Sequence, residues 1–206
     1  MPLNRVATVL IVVAAAFAAG CGSAAKPMSL QVPLNSRVTD PLATTVPPVR
    51  EVSGKLKLYV AEVQDQRAER SRIGENKEEP ALGPRPVTAG GMAPAQFVRE
   101  VFTCELPTVG VPTVRAASEA TRILSFKLSQ FYVVETDTYR AVVDGTVDVT
   151  DGSGKVLFNG SVTGDNKTFG RSFSAENYQQ VLSNATVKIL ENLLRYPAFR
   201  EALNVP

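Results

Sequence analysis

Histidine is absent from the 206 residues, and cysteine occurs only twice. Without histidine there is no Ser-His-Asp triad, no Cys-His dyad and no His-ligated metal site. Cys21 and Cys104 are too few for a four-cysteine metal site or a disulfide framework. An excess of one charge sign is missing as well. The chain has 22 basic and 20 acidic residues, a net charge of +2. That balance argues against an electrostatic nucleic-acid binder, and no nucleic-acid partner is expected. No apolar run reaches the ~20 residues that cross a bilayer as a helix. Global disorder is disfavoured too, because 44% of the residues are hydrophobic. The length allows one ordinary domain plus extras.

The N-terminus carries the strongest signal. Arg5 is followed by an apolar run from Val6 to Ala19, broken only by Thr8, and small residues lead to Cys21. This is the order of an export signal over residues 1–20. Ala18-Ala19-Gly20-Cys21 resembles the lipobox of bacterial lipoproteins. Small residues let the backbone enter the peptidase, and the thiol carries the lipid. The resemblance implies cleavage between Gly20 and Cys21, diacylglyceryl transfer to Cys21, and acylation of the new amino group by a palmitate-class chain. Two or more chains anchor a protein stably, whereas one binds marginally. Residue 22 is Gly, not the Asp of inner-membrane retention. In an envelope with two membranes the expected place is the outer one, facing the periplasm. Cleavage removes one basic and no acidic side chain, leaving 186 residues with net charge +1.

Residues 21–54 read as the lipidated cysteine and a tether, with Pro27, Pro33, Pro41, Pro47 and Pro48 favouring extended chain. Residues 55–206 read as one globular domain. Leu56, Leu58 and Val60 alternate as in a strand with one buried face. Residues 65–92 are charged, then rich in Gly and Pro, and read as a long surface loop. Residues 93–106 are expected to be helical, with Pro94 in the first turn and Pro107 as the stop. Val109–Val114 reads as a short edge strand, since Pro112 cannot sit inside a sheet. Residues 122–164 read as a three-strand meander, with a hairpin at Asp151-Gly152-Ser153-Gly154. Residues 175–195 keep helical spacing from Tyr178 to Leu193. The expected fold is therefore α+β, in two layers. A mostly antiparallel sheet of about four strands would carry two main helices on one face.

Chemistry is sparse. No Gly-rich phosphate loop stands between a strand and a helix, and there is no Gly-x-Ser-x-Gly elbow. Asp144 and Asp148 share one face of a strand, and Asp165 follows the last strand of the meander; such carboxylates serve a hydrolase only if they converge in a cleft. Cys104 reads as a small buried hydrophobe. Asp65 and Arg67, at the end of the first strand, read as a turn lock or a partner contact. Neither a metal nor a cofactor is expected.

Several features together resemble the YajG-like family of small bacterial envelope lipoproteins. They are the lipobox, the Pro-rich lead, Val63-x-Asp65-x-Arg67, Ile73-Gly74, an amphipathic helix, a strand meander, and a closing helix near Tyr196-Pro197-Ala198-Phe199. The resemblance spans most of residues 55–203. It implies an envelope lipoprotein and supplies no catalytic residues. The expected function is an anchored, non-catalytic module that binds or assembles with another envelope protein. Alternatives are an accessory lipoprotein of an envelope transporter and, in another class, a carboxylate- and metal-dependent envelope hydrolase. If the lipobox reading holds, Cys21→Ser leaves the protein unprocessed or released from the membrane on fractionation. Recovery of a mature, lipid-bound Cys21→Ser protein would refute it.

Overall fold

The computed structural model of the protein describes residues 29–49 and 54–205. The signal segment, the lipobox with Gly20 and Cys21, and the tether residues 22–28 and 50–53 lie outside the described residues. In chain order the elements are β1 (Leu30–Leu34), α1 (Leu42–Thr45), β2 (Leu58–Val60), β3 (Gln64–Asp65), β4 (Gly74–Asn76), β5 (Arg85–Gly91), α2 (Pro94–Glu105), β6 (Thr113–Val114), β7 (Arg122–Glu135), β8 (Thr138–Asp151), β9 (Val156–Phe169), α3 (Ala175–Arg195) and α4 (Pro197–Leu203). No helix among the described residues is long and apolar enough to cross a membrane.

The chain is α+β, but the expected sheet of about four antiparallel strands is incorrect. Nine strands form one mixed, curled sheet. β7, β8 and β9 are 14 residues each and make the antiparallel meander. Along its other edge β7 is paired in parallel by β2, β3 and β4 in turn. β6 continues the sheet beyond β2, and β5 then β1 continue it beyond β4. β2 and β6 fall where strands were expected, whereas β3, β4 and β5 escaped the sequence reading, which took residues 65–92 for a surface loop. β3 and β4 have two and three residues, too few to show a period of two, and they lie in charged sequence that reads as loop. β1 contains Pro33 and lies in the Pro-rich lead. It tolerates that proline because it pairs only with β5 and leaves its other edge open.

Alternation along the meander decides the two faces. Leu124, Phe126, Phe131 and Val133 of β7 and Ala141, Val143, Val147 and Val149 of β8 are fully or nearly fully buried. All four helices lie in the layer over this face. Phe97 and Phe102 of α2 meet Phe131 and Phe126 edge to face, with ring centres 5.7 and 5.4 Å apart. Tyr178 of α3 meets Tyr139 at 5.0 Å, and Phe199 of α4 meets Phe158 at 5.3 Å. Each buried aromatic ring of this kind contributes about 2 kcal/mol. The Asp151–Lys155 turn behaves as its composition suggests. Gly154 takes φ +87, and the Asp151 carboxylate accepts the N–H groups of Ser153 and Lys155 at 2.9 and 3.1 Å.

Part of the stretch expected to be a tether is inside the fold. Val32 and Leu42 have no exposure, and residues 35–40 are laced to α3. Gln179 Nε2 donates to the Asn35 carbonyl at 2.6 Å, and the Arg37 N–H donates to Ser183 Oγ at 3.0 Å. Asn184 accepts from the Thr39 N–H at 3.0 Å and donates to Thr39 Oγ1 and Asp40 Oδ2 at 2.8 and 2.9 Å. At the other end of the chain, the buried Arg122 donates to the carbonyls of Ala202 and Thr121, each at 2.8 Å, and of Asn204.

α3 crosses the sheet most closely at Gly164 of β9. A Cβ there would stand 2.1 Å from the Ala185 carbonyl oxygen and 2.8 Å from the Ile189 nitrogen. Both are helix backbone and cannot swing aside. Gly164→Ala is expected to destabilise the domain by about 3 kcal/mol in urea unfolding. Gly152→Ala, whose Cβ would meet nothing within 4 Å, is expected to leave the midpoint unchanged. Equal midpoints for the two variants would refute this account of the packing.

Candidate functional site

Asp65 and Arg67 form a closed lock. The Asp65 carboxylate accepts from the Arg67 N–H at 3.2 Å, from Nε at 2.9 Å and from Nη2 at 2.8 Å. Arg67, 5% exposed, turns its remaining donors inward, to the carbonyls of Arg72 at 3.1 Å and Arg70 at 3.4 Å. The hydrogen bonds from Arg67 hold the Asp65 carboxyl below its ordinary value, more than burial raises it. The lock leads directly into Ile73-Gly74, where a Cβ on Gly74 would come within 2.6 Å of the Val133 carbonyl oxygen. The whole run Val63 to Gly74 is thus occupied in shaping one excursion of the chain.

The carboxylates Asp144 and Asp148 lie on the face of the meander opposite the helices, whereas Asp165, on β9, borders a groove of about 370 Å³ with Asp40 and with Asn184, Lys188 and Glu191 of α3. In register, Asp148 stands beside Ser125 and Asn159, Asp144 beside Gln130 and Thr163, and Asp165 beside Val142. Asp148 is engaged across the strands, with Lys127 Nζ at 3.3 Å and Asn159 Nδ2 at 2.5 Å. Asp144 Oδ1 is buried and has no hydrogen-bond partner among the described residues. Four residues of strand set Asp144 about 13 Å from Asp148, too far to share one reacting atom. Among the described residues no group of three or more His, Cys, Asp or Glu is placed to hold a metal.

Cys104 is exposed rather than buried. Its thiol is pushed up by partial desolvation and by the carboxylates of Glu100 and Glu105, which disfavours the reactive thiolate. It lines an open groove of about 620 Å³ with Arg99 and Arg115. Arg99 is already spent on the Val60 carbonyl, at 3.1 Å.

One buried polar cluster was not legible in the sequence. Glu135, with no exposure, accepts from Tyr178 Oη and from the Phe173 N–H, both at 2.9 Å. Burial, and then the Glu135 charge, push the Tyr178 phenol far up, so it stays a donor. Beside it Arg85 donates to Asn76 Oδ1 at 2.8 Å and lies 4.2 Å from the centre of the Phe173 ring. This cluster bolts the end of β7 to the start of α3. The one sequence signal for it is a Glu ending an otherwise apolar inner row.

What remains open to a partner is the meander itself. Its outer face is a polar stripe with no described element across it. Among the described residues the far edge of β9 pairs with no strand; α3 packs against β9 at Gly164, and Asn192 Nδ2 donates to the Thr163 carbonyl at 2.7 Å. A row of backbone donors and acceptors on an edge strand is a template for strand addition.

No protein-family model matches the sequence, and no curated protein is significantly similar to it. Among solved structures the fold is similar to that of a DUF330-family protein from Xanthomonas campestris, with a TM-score of 0.55 and 11% identity over 80% of this chain and 94% of that one. Weaker likenesses include the PelC dodecamer from Paraburkholderia phytofirmans (TM-score 0.41, 13% identity, 67% of this chain and 92% of that one). Another is a candidate lipoprotein from Caulobacter crescentus (TM-score 0.39, 12% identity, 51% and 80%). The first likeness is one of fold alone, and the weaker two carry no argument about this chain.

The lock has a pH signature. The folded Asp65 binds its proton less readily than the unfolded chain does, so its contribution is present above the ordinary value of 3.8 and is lost as pH falls through the lower folded value. Asp65→Asn leaves Arg67 buried with a neutral partner and is expected to cost about 3 kcal/mol at neutral pH. The gap to the unsubstituted protein should narrow towards pH 3. A variant as stable as the parent at pH 7 would refute the lock.

Proposed function

We propose that the protein is a membrane-anchored envelope lipoprotein whose domain is a non-catalytic docking module, binding another envelope protein through β9 and the outer face of the meander. The observation that carries this reading is the unpaired far edge of β9, 14 residues long and continuous with the uncovered face. A partner strand added there would be held by main-chain hydrogen bonds, and side chains of the face would select it. The likeness of the N-terminus to a lipobox and of the chain to the YajG-like lipoproteins supports the envelope setting. In an envelope with two membranes, Gly22 in place of the Asp of inner-membrane retention supports anchoring in the outer one.

A hydrolase reading finds no comparable support. Asp148 is held by Lys127 and Asn159, and the three carboxylates spread along an open sheet rather than gather in a cleft. Asp65 and Arg67 act in this reading as a structural turn and not as a partner contact, because every donor of the Arg67 fork is directed at the protein's own backbone or at Asp65.

The test is photo-crosslinking in living cells. A photoreactive residue replacing Ser161, exposed on β9, is expected to give a discrete adduct with a second envelope protein. The same probe at Glu119, on the opposite flank of the sheet, should give none. No adduct from Ser161, Asn159 or Thr146, in cells where the protein is membrane-bound, would overturn the docking assignment.

A further inference from the structure

We propose that the end of the sheet bearing Phe169 and Leu82 rests on the lipid surface that holds the protein; this rests on the reading of Cys21 as the lipid anchor. Chain length supplies the first argument. Leu30 pairs with Val87, Val87 with Gly74, and Gly74 with Val133, so Leu30 stands level with Val133 of β7. β1 is parallel to β5, which is antiparallel to β4 and hence to β7. The chain preceding Leu30 therefore departs towards the Glu135 end of β7. Nine residue steps separate Leu30 from Cys21, a reach of about 32 Å at most. The Glu135 row is two steps, about 7 Å, from Val133. The Arg122 row is eleven steps in the other direction, about 36 Å, beyond the reach of the leash even before it rounds the domain. A lipid on Cys21 sets the Glu135 end towards the bilayer.

Surface chemistry supplies the second argument. Phe169 is 80% exposed and Leu82 62%, more than any other large apolar side chain described. Both lie at that end. Phe169 is paired with Thr138 at the start of β8, and Leu82 lies in the connection from β4 to β5, which opens and closes on the Asn76–Arg85 pair. Phe169 is flanked by the exposed Lys167 and Arg171, with Asp137 close to both. An aromatic ring between long cationic side chains suits the boundary of acyl chains and headgroups. Leu82, preceded by Glu78 and Glu79, forms the second contact along the same end. Nine residues of leash then act less as a spacer than as a short tie that leaves the meander edge standing away from the membrane, open to a partner.

The chain contains no tryptophan, so single-tryptophan variants report one position each. Phe169→Trp, Leu82→Trp and Val156→Trp are made in the full-length protein. Val156 is 55% exposed at the opposite end, paired with Thr150, and serves as the control. The processed proteins are reconstituted in vesicles of phosphatidylethanolamine and phosphatidylglycerol, with and without brominated acyl chains, and the lipid on Cys21 is read by intact mass. The expected result is blue-shifted emission with strong bromine quenching for Phe169→Trp and Leu82→Trp, and water-like, unquenched emission for Val156→Trp. A lipidated Cys21 with water-like emission at Phe169→Trp and Leu82→Trp, or with Val156→Trp quenched as strongly, overturns the membrane-facing end and leaves the anchor intact. An unmodified Cys21 overturns the anchor reading, and this inference with it.

Discussion

β7 has two edges, and the backbone groups on both must be paired because the strand is buried in the middle of the sheet. β8 takes one edge along nearly its full length. The other edge is filled by β2, β3 and β4, each parallel to β7, so the chain must repeatedly leave the edge and rejoin it. It leaves after Gln66, whose N–H donates to the Leu128 carbonyl at 2.8 Å. It rejoins at Ile73, whose carbonyl accepts the Val133 N–H at 2.9 Å. The Asp65–Arg67 lock spans this gap. A guanidinium that holds the Asp65 carboxylate on one side and the Arg70 and Arg72 carbonyls on the other ties the excursion to itself between the two contacts. Gly74 then lets the returning chain approach Val133 closely enough to pair.

The same constraint determines where the N-terminal segment goes. Because β4 is paired on its far side by β5, the sheet has room for one further strand, and β1 fills it. The polar residues that α3 buries, Gln179, Ser183 and Asn184, are there to receive the chain that follows β1. A helix face that would cost stability if left unsatisfied becomes a clasp once those backbone groups arrive. The segment that follows β1 is thereby part of the folded body.

Helices cover one face of the meander, and the other stays polar. The carboxylates Asp144 and Asp148 are spaced by the strand repeat, and Asp148 is held by the cross-strand partners Lys127 and Asn159. Where acidic and aromatic groups do converge, at Glu135, Tyr139 and Tyr178, they are shut away from solvent and fasten β7 to α3. The proposed recognition of surfaces rests on the backbone edge of β9 and on the exposed side chains Phe169 and Leu82.

Long periodic segments were legible from the residues. α3 occupies Ala175–Arg195, and α2 Pro94–Glu105, as their spacing and prolines indicated, because many buried side chains at a regular interval outweigh any local ambiguity. The meander and its Gly-containing turn were legible for the same reason. β3 and β4 were not, since two or three residues carry no period and their strand character comes from the edge of β7 they dock on. Nor was the burial of Val32 and Leu42 visible amid the prolines around them. The docking face was half legible: alternation marked a wet face, but only the strand order leaves β9 without a neighbour. The sequence by itself determined the helices, the long hairpins and the absence of histidine chemistry, and set the export signal and the lipid-bearing cysteine as expectations, all of which are local properties of neighbouring residues. Only the tertiary structure decided the mixed nine-strand sheet and the capture of residues 30–42, because each depends on hydrogen-bond partners that lie far apart along the chain.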